Sequence, residues 1–166
     1  MKRIACNGAA LLLFVQALLT PALAGIADSP LPVLLAGETT YHLYSVPGVI
    51  SSGGLETYFS CTSTDTAPVQ VCVEVFPSFG GPPTSNDCSL TSLSVAPGGT
   101  VLFGTNAAFW VTVDSPLGGS TSKASARIVA TSKKLACTAW VADLANAPPT
   151  SAWQLTIIKQ KKQKGD

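Results

Sequence analysis

The sequence predicts an all-β protein: an antiparallel β-sandwich of immunoglobulin-like size, with a β-barrel as the alternative, held by two disulfides. Three observations predict it. Nine short runs rich in Val, Ile, Thr and aromatic residues recur along the chain, separated by Gly/Pro turn signals. Outside the N-terminus, no window of helix length carries an apolar 3.6-residue period flanked by caps. Four cysteines remain after an expected export signal, and an even count in an exported chain reads as two bridges.

The first 24 residues read as an address. Met1-Lys2-Arg3 is positive, Ala9–Leu19 is an apolar run of eleven residues, and Pro21 breaks it. Ala22-Leu23-Ala24 then matches the small-residue cleavage pattern, so residues 1–24 are expected to be a signal peptide removed after Ala24. The run is shorter than the about 20 residues that a membrane-spanning helix needs. Cys6 precedes it, the wrong place for lipidation, and leaves with the signal. No later stretch is long enough to span a bilayer as a helix. The expected location is therefore secreted or periplasmic.

Taking 24 residues from 166 leaves 142, the size of one domain. Residues 25–37 (GIADSPLPVLLAG) form a Pro-punctuated lead-in, with a short strand expected at Val33–Leu35. Residues 38–159 form the single β domain. Its expected strands are Thr39–Val46, Leu55–Thr62, Val69–Phe76, Ser92–Val95, Val101–Thr105, Phe109–Asp114, Ala124–Ser132, Leu135–Asp143 and Trp153–Lys159. The breaks are Pro47-Gly48 with Ser51–Gly54, Thr64–Pro68, Pro77–Asn86, Pro97-Gly98-Gly99, Ser115–Gly119 and Ala147-Pro148-Pro149. Residues 160–166 are a Lys/Gln tail. With Lys159 it holds four lysines against Asp166, and reads as a solvated end or a weak contact with an anionic surface.

Strand alternation chooses among the three possible disulfide connectivities. Leu55, Thr57, Phe59 and Cys61 share one face; so do Leu135, Cys137, Ala139 and Val141. Both cysteines lie on the apolar side, which predicts Cys61–Cys137 as a core bridge. Cys72 sits with Gln70 and Glu74, opposite Val69, Val71, Val73 and Val75. Cys88 follows in a Gly/Pro/Ser/Asn loop, which predicts Cys72–Cys88 as a peripheral loop staple.

Composition excludes several functions. At 46% hydrophobic and 11% charged, the chain is the reverse of a disordered one. A net charge of +1 excludes a strongly basic nucleic-acid binder. His42 is the only histidine and Met1 the only methionine, so the ligands of a His/Cys/Met copper site are missing. His42 shares its alternation with Thr40, Tyr44 and Val46 and reads as a surface or boundary residue. The serine-hydrolase elbow G-x-S-x-G and the glycine motifs that cradle phosphate are absent. The acids Asp28, Glu38, Glu56, Asp65, Glu74, Asp87, Asp114 and Asp143 show no paired spacing. Calcium at Asn86-Asp87 or Asp114 matches no EF-hand loop. No cofactor or metal is expected.

One constellation remains. Alternation points Tyr58, Trp110 and Trp140 away from their core-facing neighbours, so they are expected to face outward, where aromatics stack on sugars or anchor protein contacts. The expectation weighed above this one is that they pack beneath long loops, or that both faces of a strand are buried, because Trp is largely buried on average. Trp153, in step with Leu155 and Ile157, is expected in the core. The expected function is therefore an exported, non-catalytic β-sandwich with a structural or interaction role at the cell envelope or exterior. The alternative is a carbohydrate- or small-ligand-binding module using the three aromatics. Its partner in either case is expected to be protein or glycan at the cell surface.

Overall fold

The structure, a computed structural model, describes residues 25–84, 88–108 and 110–161. The expected signal peptide, Asn86-Asp87 and the end of the tail lie outside the described residues. What is described is all-β apart from one helical turn.

The first long strand, β1 (Tyr41–Ser52), runs well past the expected Thr39–Val46. Pro47-Gly48 does not end it. Gly48 takes φ +82° in the left-handed region, and the register with the partner strand shifts there, so the expected break is a β-bulge. Gly53-Gly54, at φ +63° and +79°, then closes a two-residue hairpin between Ser52 and Leu55. Positive φ at both central residues is the turn that suits the twist of a hairpin.

β2 (Leu55–Ser63), β3 (Val69–Pro77), β4 (Leu93–Val95), β5 (Thr100–Gly104) and β8 (Leu135–Asp143) follow the expected runs closely. β7 (Thr121–Ala130) starts three residues earlier than expected. Two short additions were not expected: the turn of helix α1 (Cys88–Thr91) and β6 (Ser115–Pro116), which pairs in parallel with β5. The short strand expected at Val33–Leu35 does not form.

All strands join one sheet, in the order β4-β3-β7-β1-β2-β5-β6, with β8 on the other edge of β2. The expected strand Trp153–Lys159 is split to make the closure. β9 (Ala152–Gln154) pairs with β8, and β10 (Ile158–Lys159) pairs with β1. The segment thus crosses the seam between the two halves. Leu155 and Ile157 pack on the core as they cross, whereas Trp153 lies on a strand flanked only by β8 and is 53% exposed. The expectation of a core Trp153 is corrected accordingly. Beyond the β2–β5 pairing, Ser63 and the Pro97–Gly99 turn that joins β4 to β5 exchange two backbone hydrogen bonds. The result is a nearly closed, barrel-like sheet.

Its interior holds Val46, Val49, Phe59, Cys61, Val71, Val73, Phe103, Ile128 and Ala139, all fully buried. These come from both halves of the sheet, and Phe59, Cys61, Val71, Val73 and Ala139 keep the alternation predicted for them.

Both disulfides pair as the sequence predicts. Cys61 and Cys137 are directly opposed on β2 and β8, with Cα atoms 4.2 Å apart. The bridge therefore ties neighbouring strands within the sheet rather than two layers. Cys72–Cys88 anchors α1 and the preceding loop to β3. It is not peripheral: Cys72 is fully buried and Cys88 nearly so, under Leu34 of the lead-in and beside Val129. Two disulfides fit a protein of an oxidising compartment, outside the cytosol.

The lead-in explains that burial. It covers the outer face of β3 and β7, where Arg127 and Glu74 form an ion pair, both nearly inaccessible to solvent. The Arg127 guanidinium also donates from Nη1 to the Ser29 carbonyl (2.8 Å) and from Nη2 to the Pro30 carbonyl (2.6 Å). Its Cζ lies 5.1 Å from the Phe76 ring centroid, over the ring. One side chain therefore fastens residues 25–37 to the barrel.

Candidate functional site

The structure brings Tyr58, Trp110 and Trp140 together. Tyr58 (β2) and Trp140 (β8) are cross-strand partners, and both point to the outer face, as alternation requires. Their rings stack with centroids 5.8 Å apart, and the Trp110 ring meets Tyr58 edge-on at 5.2 Å. Leu102, Ala142, Val111 and Val113 complete a second apolar cluster on this face.

The expected strand Phe109–Asp114 is replaced by the cover of this cluster. Residues 110–114 take no strand pairing. Asp114 instead holds the end of the cover to β5, through its own N–H to the Leu102 carbonyl and its carboxylate to the Leu102 N–H, each 2.8 Å. A segment lying across an outer face cannot also extend that sheet's edge. The packing therefore buries Tyr58 completely and leaves Trp110 and Trp140 half-buried, in line with the expectation that they pack beneath a covering segment and against the outward, ligand-stacking one.

Burial and the nearby Glu56 carboxylate push the Tyr58 phenol up to about 12, so it stays protonated at any physiological pH. Its hydroxyl and the Trp110 indole N–H find no hydrogen-bond partner among the described residues. Glu56 itself is buried and accepts from the Thr105 hydroxyl at 2.7 Å. Below the Tyr58 ring lies Gly104. A Cβ built there would come 2.8 Å from the Asn106 carbonyl oxygen and 3.0 Å from the ring. Gly104→Ala is therefore expected to destabilise the protein by about 1–3 kcal/mol, as overpacking does. Thermal unfolding would check this; an unchanged midpoint would mean that the cover shifts freely.

The second site centres on His42. Alternation placed it with Tyr44 and Val46, and this is corrected by a bulge. The register with β7 slips between His42 and Tyr44, making Leu43 the extra residue. Tyr44 and Val46 then face the core, opposite Ile128 and Ala126, while His42 and Ser45 face outward, opposite Val129 and Arg127. Ser45 Oγ lies 3.1 Å from His42 Nε2 and accepts from the Gln160 amide at 2.8 Å. His42 Nε2 is also 3.2 Å from the Tyr44 carbonyl. Burial, with the positive charge of Arg127, holds the imidazole below its ordinary pKa. The ring is neutral at pH 7. Because the Tyr44 carbonyl can only accept, its hydrogen bond requires Nε2–H, which leaves no lone pair on that nitrogen for the Ser45 hydroxyl proton. Among the described residues no carboxylate hydrogen-bonds to this ring, so a complete Ser–His–acid arrangement is not assembled.

Around His42 lies a pocket of about 230 Å³ between the start of β1, the lead-in and the end of β10. Sequence reasoning missed Ser45, Lys133, Lys159 and Gln160 here. The signal was weak, because an i, i+3 pair on a regular strand faces opposite ways and only the bulge aligns it.

Elsewhere, Asp114 is engaged with β5, and among the described residues no three His, Cys, Asp or Glu side chains gather as metal ligands. No described helix is long and apolar enough to cross a membrane. No family model, no curated protein and no solved structure matches the chain.

Proposed function

We propose that the chain is an exported, non-catalytic β protein with a structural or interaction role at the cell envelope or exterior. The lead-in segment carries this reading. Arg127 holds it in a defined conformation, yet Leu31, Val33 and Leu35 are 42%, 67% and 44% exposed. Leu90, at 82% exposure, lies two residues beyond Cys88, whose disulfide packs on Leu34. Apolar side chains held outward on an anchored segment are suited to burial by a partner. The low charge and the stapled, nearly closed sheet support the same reading. So does the export signal expected at residues 1–24. We also read the sheet as a flattened sandwich, with β4-β3-β7-β1 packed against β8-β2-β5, because side chains from the two halves fill the interior.

The native mass of the mature chain, purified without reductant, tests the proposal. An assembly larger than one chain, or a co-purifying partner, is expected, and Val33→Ser with Leu35→Ser should dissociate it. A monomer with no partner at every concentration would remove the reading.

A second reading, a carbohydrate-binding module, is favoured by the partial exposure of Trp110 and Trp140 alone. Tyr58 no longer contributes, being fully buried.

A further inference from the structure

We propose that the pocket beside His42 is a binding site for a phosphate- or carboxylate-bearing ligand with a compact apolar body. This goes beyond the interaction role above and does not depend on it.

Three lysines line the pocket: Lys133 from the turn before β8, Lys159 from β10, and Lys161 just after it. No acidic residue lines it. The neighbouring Lys134 is neutralised by Asp65 at 3.2 Å, but Lys133, Lys159 and Lys161 have no carboxylate partner among the described residues. Residues 133 and 159–161 meet only because β10 pairs with β1 at Tyr44–Lys159 and the Gln160 N–H donates to the Leu43 carbonyl. Lys159 and Lys161, which the sequence shows as part of a solvated run, thus both come to line this pocket. Like charges brought together repel unless a counter-charge joins them, and a phosphate or carboxylate supplies it.

Apolar side chains line it too. Tyr41 offers its ring beneath the Lys133 ammonium, 4.4 Å from the centroid, and Leu31 comes from the lead-in. A few polar groups converging on an apolar floor is the usual make-up of a small-ligand site. The anionic group faces the lysines, with Lys133 held over the Tyr41 ring, and the apolar body rests on Leu31. Free metabolites and lipid headgroups both offer this chemistry.

His42 is the chain's only histidine, so its ring resonances report on this pocket without ambiguity. The probes are phenyl phosphate and inorganic phosphate, added to the mature, disulfide-bonded protein at constant ionic strength. Phenyl phosphate should shift the His42 resonances saturably. Inorganic phosphate should do so at least several-fold more weakly, for want of the apolar contact. Lys133→Gln with Lys159→Gln should weaken phenyl phosphate about tenfold or more, with the circular dichroism spectrum unchanged. Absence of a saturable shift, or equal affinity in the double variant, would overturn the proposal.

Vesicles of phosphatidylglycerol, with phosphatidylcholine as control, separate the two sources. Sedimentation with the anionic vesicles alone, displaced by phenyl phosphate, supports the site with a headgroup as its ligand. Phenyl phosphate binding without sedimentation supports it with a free ligand. Sedimentation that neither phenyl phosphate nor the double variant reduces would count against the pocket.

Discussion

Replacing Arg127 with methionine should lower the stability of the mature protein by about 3–5 kcal/mol, among the largest effects of any single substitution here. The change leaves Glu74 buried with no counter-charge, since both side chains are almost wholly inaccessible. It also removes the two hydrogen bonds that fasten Ser29 and Pro30. With urea slopes of about 1–3 kcal/mol/M for small proteins, the unfolding midpoint should fall by about 1 M or more. Limited proteolysis should then cut residues 25–37, which the wild type protects. The double change Arg127→Met with Glu74→Met separates charge from packing. Removing both partners of a buried pair is often nearly neutral, so most of the stability should return while the lead-in stays cleavable. A single-variant loss below about 1 kcal/mol would show that Glu74 reaches water, or a proton, in the native state.

Loss of the Cys61–Cys137 bridge should cost about as much. The bridged residues are 76 positions apart, against 16 for Cys72–Cys88. In the chain-entropy model the closed loops correspond to about 4.5 and about 3 kcal/mol. Cys61→Ala with Cys137→Ala should therefore destabilise more than Cys72→Ala with Cys88→Ala, measured by urea unfolding without reductant. Removing both bridges would take away much of the 5–15 kcal/mol that domains usually have, so full reduction should unfold the protein at 37 °C. The reverse order would refute the loop-entropy account. It would mean that burial of Cys72 and Cys88 beneath Leu34 outweighs loop length.

Local chemistry made much of the fold legible. β2, β3 and β8 fall within about a residue of where alternation puts them, because each has a continuous valine-rich or aromatic face and clear turn signals on both sides. The Cys61–Cys137 pairing follows from the same parity, and Cys72–Cys88 from the loop position of Cys88 just downstream. The candidate sites were less legible. Tyr58, Trp110 and Trp140 were recognised as sharing an outward direction, but an outward direction is not exposure: the 110–114 segment lies on them. His42 was recognised as a boundary residue, but the bulge at Leu43 that aligns Ser45 with it leaves no local mark. Pro47-Gly48 carried a turn signal and became a second bulge, because the strong pairing of β1 with β7 on both sides keeps the strand going.

The sequence by itself determined where most of the long strands lie, which side chains share a face along the regular ones, and which cysteines can meet. Those properties depend on backbone preference and a two-residue period, both of which act over a few neighbouring positions. The tertiary structure alone decided which faces are covered, and by what. The Glu74–Arg127 pair looks like two solvated charges in the sequence. It is buried because Ser29 and Pro30, nearly a hundred residues away from Arg127, lie across it. Lys159 and Lys161 come to line a pocket only when β10 crosses the seam to β1. Burial is set by whatever segment comes to rest on a face, and that choice is made by long-range packing, which no local pattern encodes.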